Sequence, residues 1–236
     1  MNTLTNYILY FIIYSTIGWL LEVLCKYIDT KKFVNRGFLL GPICPIYGYG
    51  VVIILLLIGN NDNDFLSIFL KSIFICSILE YFTSYFMEKI FKARWWDYSN
   101  NRFNINGRIC LETMLPFGLG ATVILYSVHP QVIKLVGLLS KNVKYILAFT
   151  LLALYLIDNF ISMKVMSKIK KQIKREKADN TVQVKSKIIE WIDKNSFWYK
   201  HIKNAFPKFK IISKVKNLKN VIIRDNKHID NNDNKM

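Results

Sequence analysis

The residues of this chain best placed to do chemistry are carboxylates set inside apolar stretches. Glu80 stands ten residues from the end of an apolar run at 65–90. A helix rising about 1.5 Å per residue would carry it about 15 Å into hydrocarbon, near the midplane. A carboxylate at that depth must be protonated, paired or wetted. Ser84 shares its helical face, and Glu88 is rotated by only about 80°, so one face can carry all three. Glu22, Glu112 and Asp158 lie shallower, and Arg36, Arg94 and Arg108 are the cations close enough in sequence to answer these acids. A cavity lined in this way could bind an ion, a proton or a charged head group. The plainer reading pairs Glu22 with Arg36 and Glu112 with Arg108, as bridges that hold helices in register. Intramembrane ionisable groups usually mark pathways, which favours a working role for Glu80. Glu88 and Asp158, shallow enough to reach water, fit the plainer reading.

The densest polar chemistry is KARWWDYSNNRFNINGR at 92–108. Trp95, Trp96 and Tyr98 suit an aromatic belt at head-group depth. Adjacent indoles point in different directions, however, so a belt accounts for one tryptophan more easily than for both. Asp97, Asn100, Asn101, Asn104, Asn106 and Gly107 suit tight turns with left-handed backbone. Arg94 and Arg108 could clamp a phosphate, whose oxygens match guanidinium forks. The candidate binding set is therefore Glu22, Arg36, Glu80, Ser84, Glu88, Arg94, Trp95, Trp96, Asp97, Arg108 and Glu112. Residue types and spacing alone assign no catalytic role within it.

The elements that must position these groups follow from solvation. Apolar residues make up 52% of the chain, yet the formal charge is +17, so hydrophobicity and charge must occupy different regions. Residues 1–163 carry a net charge of +4 and 164–236 a net +13. The first region holds apolar runs at 4–24, 39–58, 65–90, 109–128 and 145–163. Each is close to the roughly 20 residues a helix needs to cross about 30 Å of hydrocarbon. The expected fold is all-α, a polytopic membrane helix bundle of about five transmembrane helices over 1–163, with a basic tail over 164–236. No cleavable signal is expected, since MNTLTNY lacks a basic residue before the apolar run. Lysine and arginine concentrate in the loops after the first and third spans and in the tail, while GNNDND after the second has none. The expected layout is a multi-pass cell-membrane protein with its N-terminus outside and its C-terminus cytoplasmic. Lys134, Lys141 and Lys144 blur that pattern.

Two loops resemble each other. FVNRGFLLGPICPIYGYG at 33–50 and FNINGRICLETMLPFGLG at 103–120 each bring Asn, Gly and Arg to a membrane entrance and end in Pro, an aromatic and Gly-x-Gly. The helices before them carry Glu22 and Glu88. Such a parallel repeat can frame a central site, while Gly-x-Gly alone would merely let two helices approach closely. Pro42 and Pro45 either start the second helix or interrupt it inside the bilayer. Pro116 would release a backbone carbonyl within the fourth span, and His129-Pro130 should end that span.

In the tail, the basic stretch 164–177 should meet anionic lipid. Val184, Ile188, Trp191, Ile192, Trp198, Tyr199, Ile202 and Phe206 fall at helical spacing among lysines, as in an amphipathic helix lying on the membrane or docking a partner. The Asn-rich final dozen residues should be disordered. Nucleic acid is not an expected partner, for no base-reading motif appears. Cys25, Cys44, Cys76 and Cys110 have no paired spacing and the three histidines lie far apart, so no disulfide, metal or cofactor is expected.

The motifs GW-x-x-E at 18–22, F-x-NRGFL-x-GP-x-x-P-x-YG-x-G at 33–50, EY at 80–81 and E-K-x-F-x-A-x-WWDYS-x-x-x-FN-x-x-GRI-x-L at 88–111 resemble the bacterial CmpB family of type IV ABC-transporter proteins. The resemblance covers roughly 10–130 and implies a multispanning transporter component of permease type. It brings no assigned substrate or active site. No G-x-x-x-x-G-K-[ST] phosphate loop occurs in the chain, so an ATPase would be a separate cytoplasmic subunit. Two further function classes stay open. One is a membrane enzyme acting on lipid head groups, with Glu88, Asp97 or Glu112 moving protons. The other is a membrane scaffold.

Overall fold

The computed structural model describes residues 2–58, 64–91 and 93–175, together with tail positions 190–192, 194, 199, 201, 205, 210 and 211. Among them the chain is a bundle of apolar helices with a few two-residue strands. Helix α1 spans Asn2–Thr30, α2 Pro45–Leu57, α3 Phe65–Phe91, α4 Leu111–Val123, α5 His129–Gly137 and α6 Lys141–Arg175. Among the described residues four stretches are long and apolar enough to cross a membrane, namely Thr3–Thr30, Phe65–Phe91, Leu111–Gly137 and Lys141–Gln172, with Pro45–Leu57 a shorter fifth.

The first and last helices run past their expected ends at 24 and 163, to Thr30 and Arg175, and two further spans differ because of proline. The second begins at Pro45 rather than at 39. Pro42 and Pro45 each push the preceding residue away from helical angles, and Cys44 is accordingly extended (φ −115°, ψ 91°). The 13 residues of α2 rise only about 20 Å, short of a full crossing. The fourth span does not stop at His129-Pro130. A single π turn, Ile124–Val128, joins α4 to α5, so that one helical rod runs from 111 to 137. Proline lacks the amide proton an α-helix needs, and the wider π turn accommodates its ring without ending the helix. At 35 residues and about 52 Å, α6 outreaches the bilayer and continues straight into the basic stretch.

The tightest packing joins α1 to α2 and α3 to α4, with α6 against α1. One core gathers Leu9, Tyr10, Tyr14, Val51, Val132, Val136 and Ala148; a second gathers Phe11, Ile12, Leu39 and Tyr155. The first glycine of each Gly-x-Gly makes the close approach. A methyl at Gly48 would overlap Ser15 and Phe11, and one at Gly118 would overlap Ile73. The second glycines differ: Gly50 has ordinary room beside Leu79, and Gly120 faces open space.

Segment 31–44 between α1 and α2 is irregular and folds back along the bundle, so that the Cys44 amide donates to the Ser15 carbonyl (2.9 Å). Backbone of this kind persists at depth only when protein satisfies it. Asp158 on α6 accepts from the amides of Leu40 (3.1 Å) and Gly41 (2.8 Å). Asn35 donates to the Leu40 carbonyl (2.8 Å) and accepts from the Trp19 indole (2.6 Å). Asp158 is therefore a structural anchor, not merely a shallow acid in contact with water.

Between α3 and α4, strands β2 (Asn104–Ile105) and β3 (Ile109–Cys110) form an antiparallel hairpin. Asn106 (φ 53°) and Gly107 (φ 66°) take the left-handed angles that favour Asn-Gly in tight hairpins. Strand β1 (Ala93–Arg94) pairs antiparallel with β4 (Lys210–Ile211) of the tail. Of the expected amphipathic positions, Trp191, Ile192 and Tyr199 are described and helical, and they pack with Phe91, Trp95, Met166 and Ile169 on the loop end of the bundle. Val184, Ile188, Trp198, Ile202, Phe206 and the Asn-rich terminus lie outside the described residues.

Candidate functional site

Solvation explains why Glu80 stands out. It lies near the middle of α3, is only 5% exposed, and its Oε2 has no hydrogen-bond partner. The phenol of Tyr98, on the loop after α3, is its side-chain hydrogen-bonding neighbour. Burial first, and then the charge of Glu80, push the Tyr98 hydroxyl above its ordinary range, so that it stays a donor. Ser84, one turn on along the same face, is also buried.

Across the interface from Glu80 lies Glu22 of α1, within electrostatic reach of it. The Tyr47 hydroxyl donates to Glu22 Oε1 (2.8 Å), and Arg36 Nε approaches Glu22 Oε2 (3.5 Å). Gly18 explains how Tyr47 gets there, because any side chain at 18 would overlap the Tyr47 ring. GW-x-x-E thus combines a notch for a tyrosine with the acid that tyrosine binds one turn later. Tyr47 also meets Phe117 edge-on (6.4 Å). These two rings hold the same position in the two similar motifs, so the second helices of the two hairpins touch at matching residues.

Packing register changes which acids correspond. Gly48 faces Ser15 and Gly118 faces Ile73. Two helical turns on from each facing residue stand Glu22 and Glu80 respectively. The counterpart of Glu22 is thus Glu80, not Glu88 as the loops suggested, since 37 positions separate Glu80 from Phe117 and only 25 separate Glu22 from Tyr47.

Glu88 belongs to a second network at the loop end. Its Oε2 takes Arg94 Nε (2.9 Å) and Arg108 Nη2 (3.0 Å), and Arg94 Nη1 also reaches Asp97 Oδ1 (3.3 Å). The Arg108 guanidinium stacks over Tyr81 and Tyr85, each 5.5 Å away. The Trp96 indole donates to the Arg108 carbonyl (3.0 Å). The expected Glu112–Arg108 bridge is replaced: Arg108 turns inward to Glu88, and Glu112 instead accepts from Asn101 on the exposed side. The expected Glu22–Arg36 pair is present. Trp95 is 5% exposed in the core with Phe91, and Tyr98 turns to Glu80, so neither serves as a belt residue.

The eleven sequence candidates therefore fall into two groups. Glu22, Arg36, Glu80 and Ser84 lie at or beside the hairpin interface. Glu88, Arg94, Trp96, Asp97 and Arg108 form the clamp that shapes the second loop, with Trp95 and Glu112 to either side of it. Sequence reasoning missed Tyr47 and Tyr98. The notch glycine at 18 was the available signal for Tyr47. For Tyr98, read as a belt residue, there was none. Among the described residues no group of three or more metal-ligating side chains assembles.

A family model described as Putative ABC-transporter type IV matches residues 9–163, which takes in all five apolar helices, both loops and both networks. No curated protein and no solved structure matches the chain.

Proposed function

From the premise that the chain belongs to the Putative ABC-transporter type IV family, we propose that it is the membrane-spanning, permease-like component of a transporter, with the Glu22–Glu80 pair as its polar centre. The observation that carries this reading is Glu80, a buried acid with an unpartnered oxygen at the interface of two like hairpins. A purely structural acid would have both oxygens satisfied. Tyr98 and Tyr47 supply neutral donors on either side, so the centre can take up a proton or a cationic or hydrogen-bonding group of the cargo without a permanent counter-charge on Glu80. The forks of Arg94 and Arg108 hold Glu88, which favours transport over chemistry on lipid phosphates. The N-terminus lies outside, and the two loops and the tail face the cytoplasm, where a separate ATPase subunit docks.

Comparison of Glu80→Gln with wild type at matched membrane abundance, in cells lacking the native protein, tests the centre. The expected result is a normally inserted protein that fails to reverse the altered ion and metabolite content of the deletion strain. Full restoration by the glutamine variant would refute the assignment. Purification from native membranes in mild detergent should also recover a nucleotide-hydrolysing subunit with the chain, and recovery of the chain alone would remove the transporter reading.

A further inference from the structure

The loop end of the bundle is covered. Among the described residues, four kinds of contact join the tail to it. Trp191, Ile192 and Tyr199 pack with Phe91, Trp95, Met166 and Ile169. Arg36 Nη1 donates to the Ala205 carbonyl (2.7 Å). His201, 7% exposed, lies against the backbone of Gly37 and Leu39. Strand β4 pairs with β1, Ala93 opposite Ile211 and Arg94 opposite Lys210.

We infer that the face formed by segments 31–44 and 93–110 is a docking surface whose resident occupant is the chain's own tail, and that the tail latches the loop-side approach to the Glu22–Glu80 centre. Two connections tie the tail to that centre. The Arg36 guanidinium bridges them, with Nε toward Glu22 and Nη1 on the Ala205 carbonyl. Strand β1 lies four residues before Tyr98, so β4 braces the segment that carries the phenol to Glu80. The contacts are apolar packing and backbone pairing, which suit an intramolecular partner held at high effective concentration on the end of α6. The latch rests on the reading of Glu22 and Glu80 as the working centre and goes beyond it, because it makes access conditional on the tail. An anionic bilayer is the rival dock for a segment carrying a net +13.

The test uses the full chain with Cys25, Cys44, Cys76 and Cys110 replaced by alanine and with Ala93→Cys and Ile211→Cys added. Facing residues of an antiparallel pair stand about 4.5–5.5 Å apart at Cα, within the span of a disulfide. In phosphatidylcholine vesicles, mild oxidation should link most molecules, as counted by peptide mass spectrometry. With about 90% of molecules linked, labelling of Glu80 by a water-soluble carbodiimide with an amine should then fall about tenfold relative to the reduced protein, because only the unlinked tenth can still open. Failure of the disulfide to form, or equal labelling in the two redox states, overturns the latch. So does a disulfide yield that collapses in phosphatidylglycerol-rich vesicles, which would assign the tail to the bilayer. None of these outcomes bears on Glu80→Gln in cells, so a failed latch and a failed centre are told apart.

Discussion

At the level of single residues, the centre depends on neutral donors placed beside acids. Tyr98→Phe removes the phenol facing Glu80 and leaves a buried carboxyl without that donor. It should lower stability by about 1–3 kcal/mol, read as a drop in thermal midpoint, while membrane insertion stays normal. Because the folded-state pKa of Tyr98 is raised, its contribution is fully present below the ordinary tyrosine value of about 10 and is lost as pH rises beyond it. The wild-type midpoint should therefore fall more steeply above about pH 10 than that of Tyr98→Phe. Arg108→Met keeps most of the packing on Tyr81 and Tyr85 but removes one of the two cations on Glu88, and should cost about 1.5–3 kcal/mol in the same assay. Glu80 was legible in the sequence because an acid in an apolar run contradicts its surroundings. Tyr98 was not, since its contact with Glu80 depends on a loop whose path no periodicity records.

At the level of elements, the two hairpins give a sharp contrast between neighbouring glycines. Gly118→Ala should destabilise by about 1–3 kcal/mol through overlap with Ile73. Gly120→Ala, facing open space, should be neutral or slightly stabilising, since alanine favours helix by up to about 1 kcal/mol. Equal effects at the two sites would mean that the α3–α4 register described above is wrong. The tail offers a pH test. Burial pushes His201 below its ordinary value, against the opposing pull of the Gly37 and Leu39 backbone and of Asp158. A depressed histidine favours the docked tail above about pH 6.5 and loses that contribution as pH falls through the lowered value. Cross-linking of the 93–211 cysteine pair should therefore decline from about pH 6.5 downward, and His201→Gln should flatten that decline. Apolar length was enough to find α1, α3 and α6. It misjudged α2 and the rod from 111 to 137 because prolines there act through neighbouring carbonyls and preceding residues, which a hydropathy window does not register.

At the level of the whole molecule, the two aromatic loops share one end of the bundle with the tail, and the short turn between α5 and α6 lies at the other. Lys31→Cys and Asn101→Cys, each in the alanine background, should both react with an impermeant maleimide from the tail side of sealed vesicles, and Leu138→Cys only from the opposite side. Labelling of the two loops from opposite sides would break the shared frame. Span count made this shared end readable in advance. The correspondence of Glu22 with Glu80 was hidden, because the two hairpins differ in length and only packing aligns them.

Asp158 gives the long last helix a mechanical role. Its carboxylate grips the irregular lead into α2 at Leu40 and Gly41, and the same helix runs on, about 25 Å further, to Arg175. A torque applied to the projecting end of that rod is transmitted through this acid, and through the contact of the Tyr155 and Tyr49 hydroxyls (3.1 Å), to the point where the second helix starts to wind. Whatever pulls on the projecting stem thus also steers Tyr47, two residues into α2.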